Sequence, residues 1–387
     1  MARTVLVTGA RAAAALDIAR DFTAAGYRTI CADSVPARIS GWSGRTGAFR
    51  SYPAPRADPA GFAARIAQLV EEYDVDLVVP TCEEAFYLAA PGLARPLAGK
   101  LFQSPLASLR ELHDKYRFAR LAARLGMPVP ETHILRDEAD VAAFSGRSRE
   151  WVFKPCFSRF GEAALVGPAR ERLRGVRPSA ERPWIAQRRI VGSEACFYAV
   201  ARDGALRAFA AYRSDWRLGG GASFGFEALD SARAAALREA AVTLAGHLSL
   251  TGQIACDVIF DVAGQPWLIE CNPRATSGVH FLAGEGRLAA SIDGSEEGCL
   301  AGDGQPRHLL PAMLSFGLAV ALRRRDLHGW VAALRNGRDV IGRPGDRRPA
   351  LGAFIDGLGF TFKGMADGTS ASAATVADIA WDGEDLP

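Results

Sequence analysis

Apolar and polar positions follow two rhythms along this chain. TVLVTGA (4–10) is apolar at almost every position and ends on a glycine turn, the pattern of a strand buried on both faces. RAAAALDIARDFTAAGY (11–27) continues with helical spacing and a stop at Gly26. RTICADS (28–34) reads as a second strand, FAARIAQLVEEYDV (62–75) as a helix and DLVVPT (76–81) as a strand. Strands alternating with helices predict a parallel α/β sheet and a first domain over residues 1–113.

The rhythm then changes. HDKYRFARLAARLGMPVPET (113–132) is a helix closed by Gly126 and two prolines, and WVFKPCF (151–157) is a strand. Residues 183–215 read as successive strands joined by turns such as RDGA, RLGGGASFGF (217–226) as a glycine-rich loop, and 231–250 as a helix. GQIACDVIFDVAGQPWLIECNPR (252–274) is two apolar runs about a Gly-containing turn, a hairpin. A helix is expected over 318–336, followed by Gly- and Ala-rich sequence. The second domain spans 114–300, with a lid near 150–190, and 301–387 is an extension of unassigned role.

Composition narrows the class. The 387 residues are 49% apolar and 23% charged, with a net charge of +3, which points to a globular protein with no nucleic-acid or membrane partner. A homodimer is compatible with it. The seven cysteines form no CxxC pair and are odd in number. With no signal-peptide pattern and no membrane-length apolar run, reduced thiols in a cytoplasmic protein are expected. Only four of the 46 basic residues are Lys: Lys100, Lys115, Lys154 and Lys363.

The hairpin carries the chemistry. Asp257 and Glu270 lie at similar distances from its turn, so they should be cross-strand neighbours. Adjacent carboxylates repel, and a hard divalent cation removes the repulsion; Mg²⁺ takes oxygen ligands from one or two carboxylates plus phosphate oxygens. Asn272 shares the face of Glu270 and adds a neutral oxygen, and Arg274 adds positive charge where an anionic transition state would need it. The bland alternative is a solvated hairpin with incidental acids. Lys154 lies in an apolar strand, where a cation is costly unless it meets an anion such as a phosphate chain, and Lys115 starts a helix.

VLVTGA with Asp33 also suggests dinucleotide binding, but GxGxxG is missing: Arg11 and four alanines follow Gly9.

Taken together, DKYRFARLAARLGMPVPET, WVFKP, IAQRRIVGSEACFY and IECNPR resemble the ATP-grasp superfamily, in particular its carbamoyl-phosphate synthetase-like and biotin carboxylase-like branches. The resemblance runs from residue 1 to about 285. It implies an α/β fold with an N-terminal parallel βαβ domain, a lid and an antiparallel ATP-binding core. It further implies that Lys115 and Lys154 bind ATP phosphates, Gln187 to Ile190 (Arg189 included) read adenine, and Glu194 holds the ribose. Asp257, Glu270 and Asn272 would bind Mg²⁺, with Mn²⁺ as the substitute, and Arg274 would lie near an acyl phosphate. The phosphate-covering loop FSRFGEAAL is poor in glycine, which makes Arg159 a phosphate contact through its side chain.

For the second substrate, Arg213 and the backbone of Gly219, Gly220 and Gly221 are candidate anion contacts, His280 a polar contact and Glu83 an amine contact. The expected activity is an ATP- and Mg²⁺-dependent carboxylate–amine ligase acting on small molecules. Its rivals are an NAD(P)-dependent oxidoreductase using the N-terminal domain and a non-catalytic nucleotide-binding regulator.

Overall fold

A computed structural model describes residues 2–386 except 160, 162, 218–222 and 297. Its first sheet is parallel. β1 (Thr4–Thr8), β2 (Arg28–Asp33), β3 (Ala48–Ser51) and β4 (Leu77–Val79) lie in the order β3-β2-β1-β4. The helix Ala13–Ala24 packs on one face and Pro59–Glu72 on the other, so Val5 and Val7 face one core and Leu6 the other. Gly9 turns the chain out of β1 at φ +68°, and a Cβ there would meet Thr81 Oγ1 at 2.7 Å, so only glycine fits.

A second, four-stranded sheet is formed by β5 (Thr132–Leu135), β6 (Trp151–Pro155), β7 (Leu165–Val166) and β8 (Trp184–Arg188), ordered β5-β8-β6-β7. The largest sheet holds β9 (Gly192–Arg202), β10 (Ala205–Arg217), β11 (Ser223–Ala228), β12 (Gly252–Asp261) and β13 (Pro266–Asn272). Three two-residue strands extend it: β14 (Leu300–Ala301), β15 (Arg307–His308) and β16 (Arg338–Asp339). Its path is β13-β12-β9-β10-β11-β15-β16, with β14 on β10. One face packs against Ala13–Ala24 and the parallel sheet; the other packs against the helices Lys115–Arg124 and Ser231–His247. The large sheet therefore lies between two cores.

Four expectations change. β3 was not anticipated, because AFRS has no apolar alternation and is recruited by pairing with β2. Half of the expected glycine-rich loop is β11. A Cβ on Gly225 would meet Trp216 Cβ at 2.9 Å, so this glycine permits close packing rather than looseness. The helix expected over 318–336 is two, Leu318–Arg324 and Leu327–Asn336, broken where Arg325 turns left-handed at φ 56°. The Gly- and Ala-rich stretch beyond is largely the helix Arg348–Ala366. No helix among the described residues is long and apolar enough to cross a membrane, and all seven cysteines are free.

Candidate functional site

The hairpin register is the one the sequence implies: Asp257 pairs with Glu270, Cys256 with Cys271 and Ala255 with Asn272, and a bulge follows Asp257. Asp257 also pairs with Cys196 on β9, and Cys196 with Tyr212 on β10. Glu270, Asp257, Cys196 and Tyr212 thus form one row across four strands, on one face. The Cys196 thiol donates to Asp257 Oδ1 at 3.0 Å. Sequence reading missed Cys196 and Tyr212; the signal available was their position in the strand runs that flank the hairpin.

Both lysines converge on this row. Asp114 caps the helix Lys115–Arg124 by accepting from the backbone N–H groups of Tyr116 (2.9 Å) and Arg117 (3.1 Å), which fixes Lys115 as its first residue. Lys115 Nζ lies 3.6 Å from Glu270 Oε2 and donates to the Ser158 carbonyl at 2.9 Å. Lys154 Nζ, from β6, lies 3.3 Å from the same Glu270 oxygen. The lysine side chains are 4% and 6% exposed and that of Glu270 is 25% exposed, while Asp257 and Cys196 are partly buried and Tyr212 is buried.

The electrostatics follow from burial and neighbours. Burial raises the Asp257 carboxyl, and adjacent Glu270 raises it further. Burial alone would raise Glu270 as well, but Lys115 and Lys154 outweigh it and hold the group ionised. Burial lowers Lys154, with Glu270 opposing. Two buried ammonium groups share one Glu270 oxygen, with Asp257 as the neighbouring acid. Beside them are the oxygens a hard cation needs: two carboxylates and the Asn272 amide, whose Oδ1 accepts from Arg274 at 3.2 Å. Among the described residues no three His, Cys, Asp or Glu side chains form a metal cage. The donor set fits a hydrated magnesium ion shared with phosphate oxygens better than an all-protein site.

Arg274 leads away from this row. Its Nε lies 3.9 Å from Glu83 Oε1, at the end of the parallel sheet. Burial would raise Glu83, but Arg159 outweighs it and the carboxyl is held down at about 2. Arg159 Nε donates to Glu83 Oε2 at 2.6 Å, and its other nitrogens reach Asp382 Oδ1 (2.7 Å) and the Trp381 carbonyl. Arg159, expected at a phosphate, is therefore bound to the chain's own carboxylates. Glu83, expected to take an amine, already accepts from Arg159 and the Trp381 N–H, while its buried Oε1 has no hydrogen-bond donor.

Other expected residues separate. Gln187 is buried on β8 and donates to Thr132 Oγ1 (3.2 Å) and the Ile269 carbonyl (3.4 Å), tying the small sheet to the hairpin. Arg189 donates its N–H to the Glu150 carbonyl, and Ile190 follows just beyond the strand end. Glu194 shares the face of Cys196 but is exposed and paired with Arg217. Two candidates are not brought to the row. Arg213 is one residue past Tyr212, so strand alternation turns it to the opposite face, where it pairs with Glu227 at 2.6 Å. His280 is buried against helix Ala13–Ala24, with Nδ1 2.9 Å from Asp17 Oδ2, a fold contact rather than a substrate wall. Gly220 and Gly221 lie outside the described residues.

The dinucleotide pattern also resolves. Asp33 accepts from the Arg11 N–H at 2.8 Å and binds its guanidinium, so the acid that would hold a ribose is occupied. The last residues of the chain cover this edge. Asp378 binds Arg11 and Ser34, and Trp381, fully buried, stacks on Phe86 at 4.7 Å beside the buried His113. Sequence reading left this tail without a role, although a lone Trp in an acidic C-terminus was there to be noticed.

Residues 112–278 match the family model described as "ATP-grasp domain". This segment is an ATP-grasp domain. Solved structures share the wider fold. An L-amino acid ligase from Bacillus licheniformis matches at 16% identity and TM-score 0.56, over 73% of this chain and 70% of that one. The biotin carboxylase domain of Hydrogenobacter thermophilus 2-oxoglutarate carboxylase, solved with MgADP and bicarbonate, matches at 15% and 0.61, over 79% and 73%. The N5-carboxyaminoimidazole ribonucleotide synthetase of Thermus thermophilus matches at 17% and 0.59, over 78% and 81%. At such identities the likeness is one of fold. The row Glu270–Asp257, Lys115 and Lys154 all lie within the ATP-grasp domain, whereas Glu83 and the tail lie outside it.

Proposed function

We propose that the chain is an ATP- and Mg²⁺-dependent ligase that joins a small carboxylate, such as an amino acid, to an amine. The observation that carries this reading is the convergence of Lys115 and Lys154 on one oxygen of Glu270, beside Asp257 and Asn272. The two buried ammonium groups meet Glu270 only at 3.3 and 3.6 Å, longer than a well-formed charge-assisted hydrogen bond, and phosphate oxygens would give them closer partners. Asp257, Glu270 and Asn272 would hold magnesium, which supplies charge neutralisation between phosphate oxygens during phosphoryl transfer.

The chain's own residues set the rest. Lys115 and Lys154 bind and orient the phosphates, and Gln187 with the strand end to Ile190 borders the base, with Glu194 at the ribose. A substrate carboxylate oxygen attacks the γ-phosphorus, ADP leaves, and an acyl phosphate forms. The amine then attacks the acyl carbon, inorganic phosphate leaves with the bonding pair, and the amine loses a proton. Arg274, beside Asn272, stabilises the negative charge on the acyl phosphate. The proposed division of labour puts 1–113 as the scaffold domain, 114–300 as the nucleotide-binding domain with its lid at 150–190, and 301–387 as the extension that closes the scaffold's edge.

The test is phosphate and ADP release from ATP and Mg²⁺ with a panel of amino acids, singly and in pairs, by wild type and Lys154→Met. Carboxylate-dependent ADP formation that Lys154→Met loses would support the reading. Nucleotide binding without turnover on any pair would instead make the chain a non-catalytic binder.

A further inference from the structure

Exposed apolar residues are concentrated in one part of the chain. Of the sixteen large hydrophobic residues described as exposed, eleven fall between Leu314 and Met365. Leu351 (58%), Phe354 (56%), Leu358 (44%), Phe362 (66%) and Met365 (73%) recur at intervals of three and four along the helix Arg348–Ala366. That spacing puts them in one stripe about 20 Å long. Its buried face is formed by Gly352 and Gly364, packed on Arg38 and Ser370, so the exposed stripe is not the face that holds the helix to the protein. The stripe alone presents on the order of 500 Å² of apolar surface, as large as the largest patch on a typical monomer. Leu314, Leu318 and Leu322 form a second stripe at intervals of four, continued by Leu327 and Val331 on the next helix.

The charge around these stripes is mostly positive. Residues 310–366 hold nine Lys or Arg against four Asp, a net of +5, in a chain whose total is +3. Three of the four acids are held by the fold: Asp346 binds Arg20, Asp356 binds Arg38, and Asp339 accepts from Leu310 and Gly342 N–H groups, while Asp326 is exposed and caps the Leu327 helix. By contrast Arg323, Arg325, Arg335, Arg338, Arg347 and Arg348 are exposed and form no ion pair among the described residues. Arg347 and Arg348 even stand at a helix N-terminus, where the helix dipole disfavours a cation.

We infer that this part of the chain binds the surface of an anionic phospholipid bilayer, with its exposed apolar stripes inserted between headgroups and the arginines on the lipid phosphates. The charge selects this occupant. A second copy would bring two faces of +5 together. The helix Arg348–Ala366 is not apolar enough to cross a bilayer, so it lies along the surface. The inference does not depend on the ligase reading, and its test needs no turnover.

The test is flotation of the full chain with vesicles of phosphatidylglycerol and phosphatidylcholine, or of phosphatidylcholine alone, at low and high salt. Wild type should bind the anionic vesicles at least tenfold more tightly than the neutral ones, and less at high salt. Phe354→Ser with Phe362→Ser should lose at least tenfold in binding while keeping the wild-type thermal midpoint, since both side chains are more than half exposed. Arg323→Glu with Arg325→Glu should lose the preference for anionic lipid. Failure of wild type to float with either vesicle would overturn the inference, as would unchanged binding by the double Phe variant. A dimer in light scattering that the Phe variant abolishes, without vesicle binding, would assign the face to a second copy. Vesicle-independent capture of an acidic protein through the same residues would assign it to a protein partner.

Discussion

Two charged clusters lie close together, joined by Arg274, and they are completed differently. At the end of the parallel sheet every strong cation is matched by the chain itself. Arg11 binds Asp33 and Asp378, and Arg159 binds Glu83, Asp382 and the Trp381 carbonyl. In the hairpin row, Lys115 and Lys154 share one carboxylate at 3.6 and 3.3 Å, longer than a well-formed charge-assisted hydrogen bond. In the first cluster the C-terminal tail supplies partners to Arg11 and Arg159, while Glu83 Oε1 keeps no hydrogen-bond donor. The second holds its two ammonium groups at long range from Glu270, which is partly exposed. At the strand ends, where α/β folds commonly bind ligands, the tail residues Asp378, Trp381 and Asp382 pack against the chain's own charged groups.

That contrast can be broken from either side. The largest expected effect is on turnover: Lys154→Met or Glu270→Gln should lower ATP-dependent phosphate release by about 100-fold or more while the protein stays folded. Retained activity in both would mean the row is not the reactive site. Next, Trp381→Ala should cost about 3–5 kcal/mol in urea unfolding, because a fully buried indole leaves a cavity in the parallel-sheet core. A loss below about 1 kcal/mol would show that the tail only rests on the surface.

A pH test is finer. Burial lowers His113 to about 3, against the pull of Glu83, so the folded protein favours the neutral ring. Its stabilising contribution is fully present above the unfolded value near 6.5 and is lost as pH falls from there towards 3. His113→Phe should remove that part of the acid destabilisation, seen as a shallower fall in unfolding midpoint between about pH 7 and 4. Parallel curves would contradict the placement. Smallest, Asp382→Asn should cost about 1 kcal/mol or less, since this carboxylate is 43% exposed, and unfolding in urea checks it.

Much of this was legible in the residues. The parallel sheet follows from uninterrupted apolar runs, and the pairing of Asp257 with Glu270 follows from counting back from the hairpin turn. Lys154 stood out as a cation in an apolar strand. What was not legible depends on contacts distant in sequence. β3 exists because β2 recruits it, and Arg159 turns to Glu83 because residues 381 and 382 arrive beside it. Arg213 looked eligible by type and proximity, yet one step along a strand put it on the far face. His280 satisfies a buried aspartate from a helix more than 250 residues earlier, a partner no local pattern names.

The most direct test of the central claim is the thermal unfolding midpoint of wild type and Glu270→Gln with ATP and Mg²⁺, and with NADPH. A ligand bound only by the native state at about 100 times its Kd adds about 2.7 kcal/mol. The account predicts a clear rise for wild type with ATP and Mg²⁺, its loss in Glu270→Gln, and no response to NADPH. No rise with ATP, or an equal rise in the variant, would contradict it.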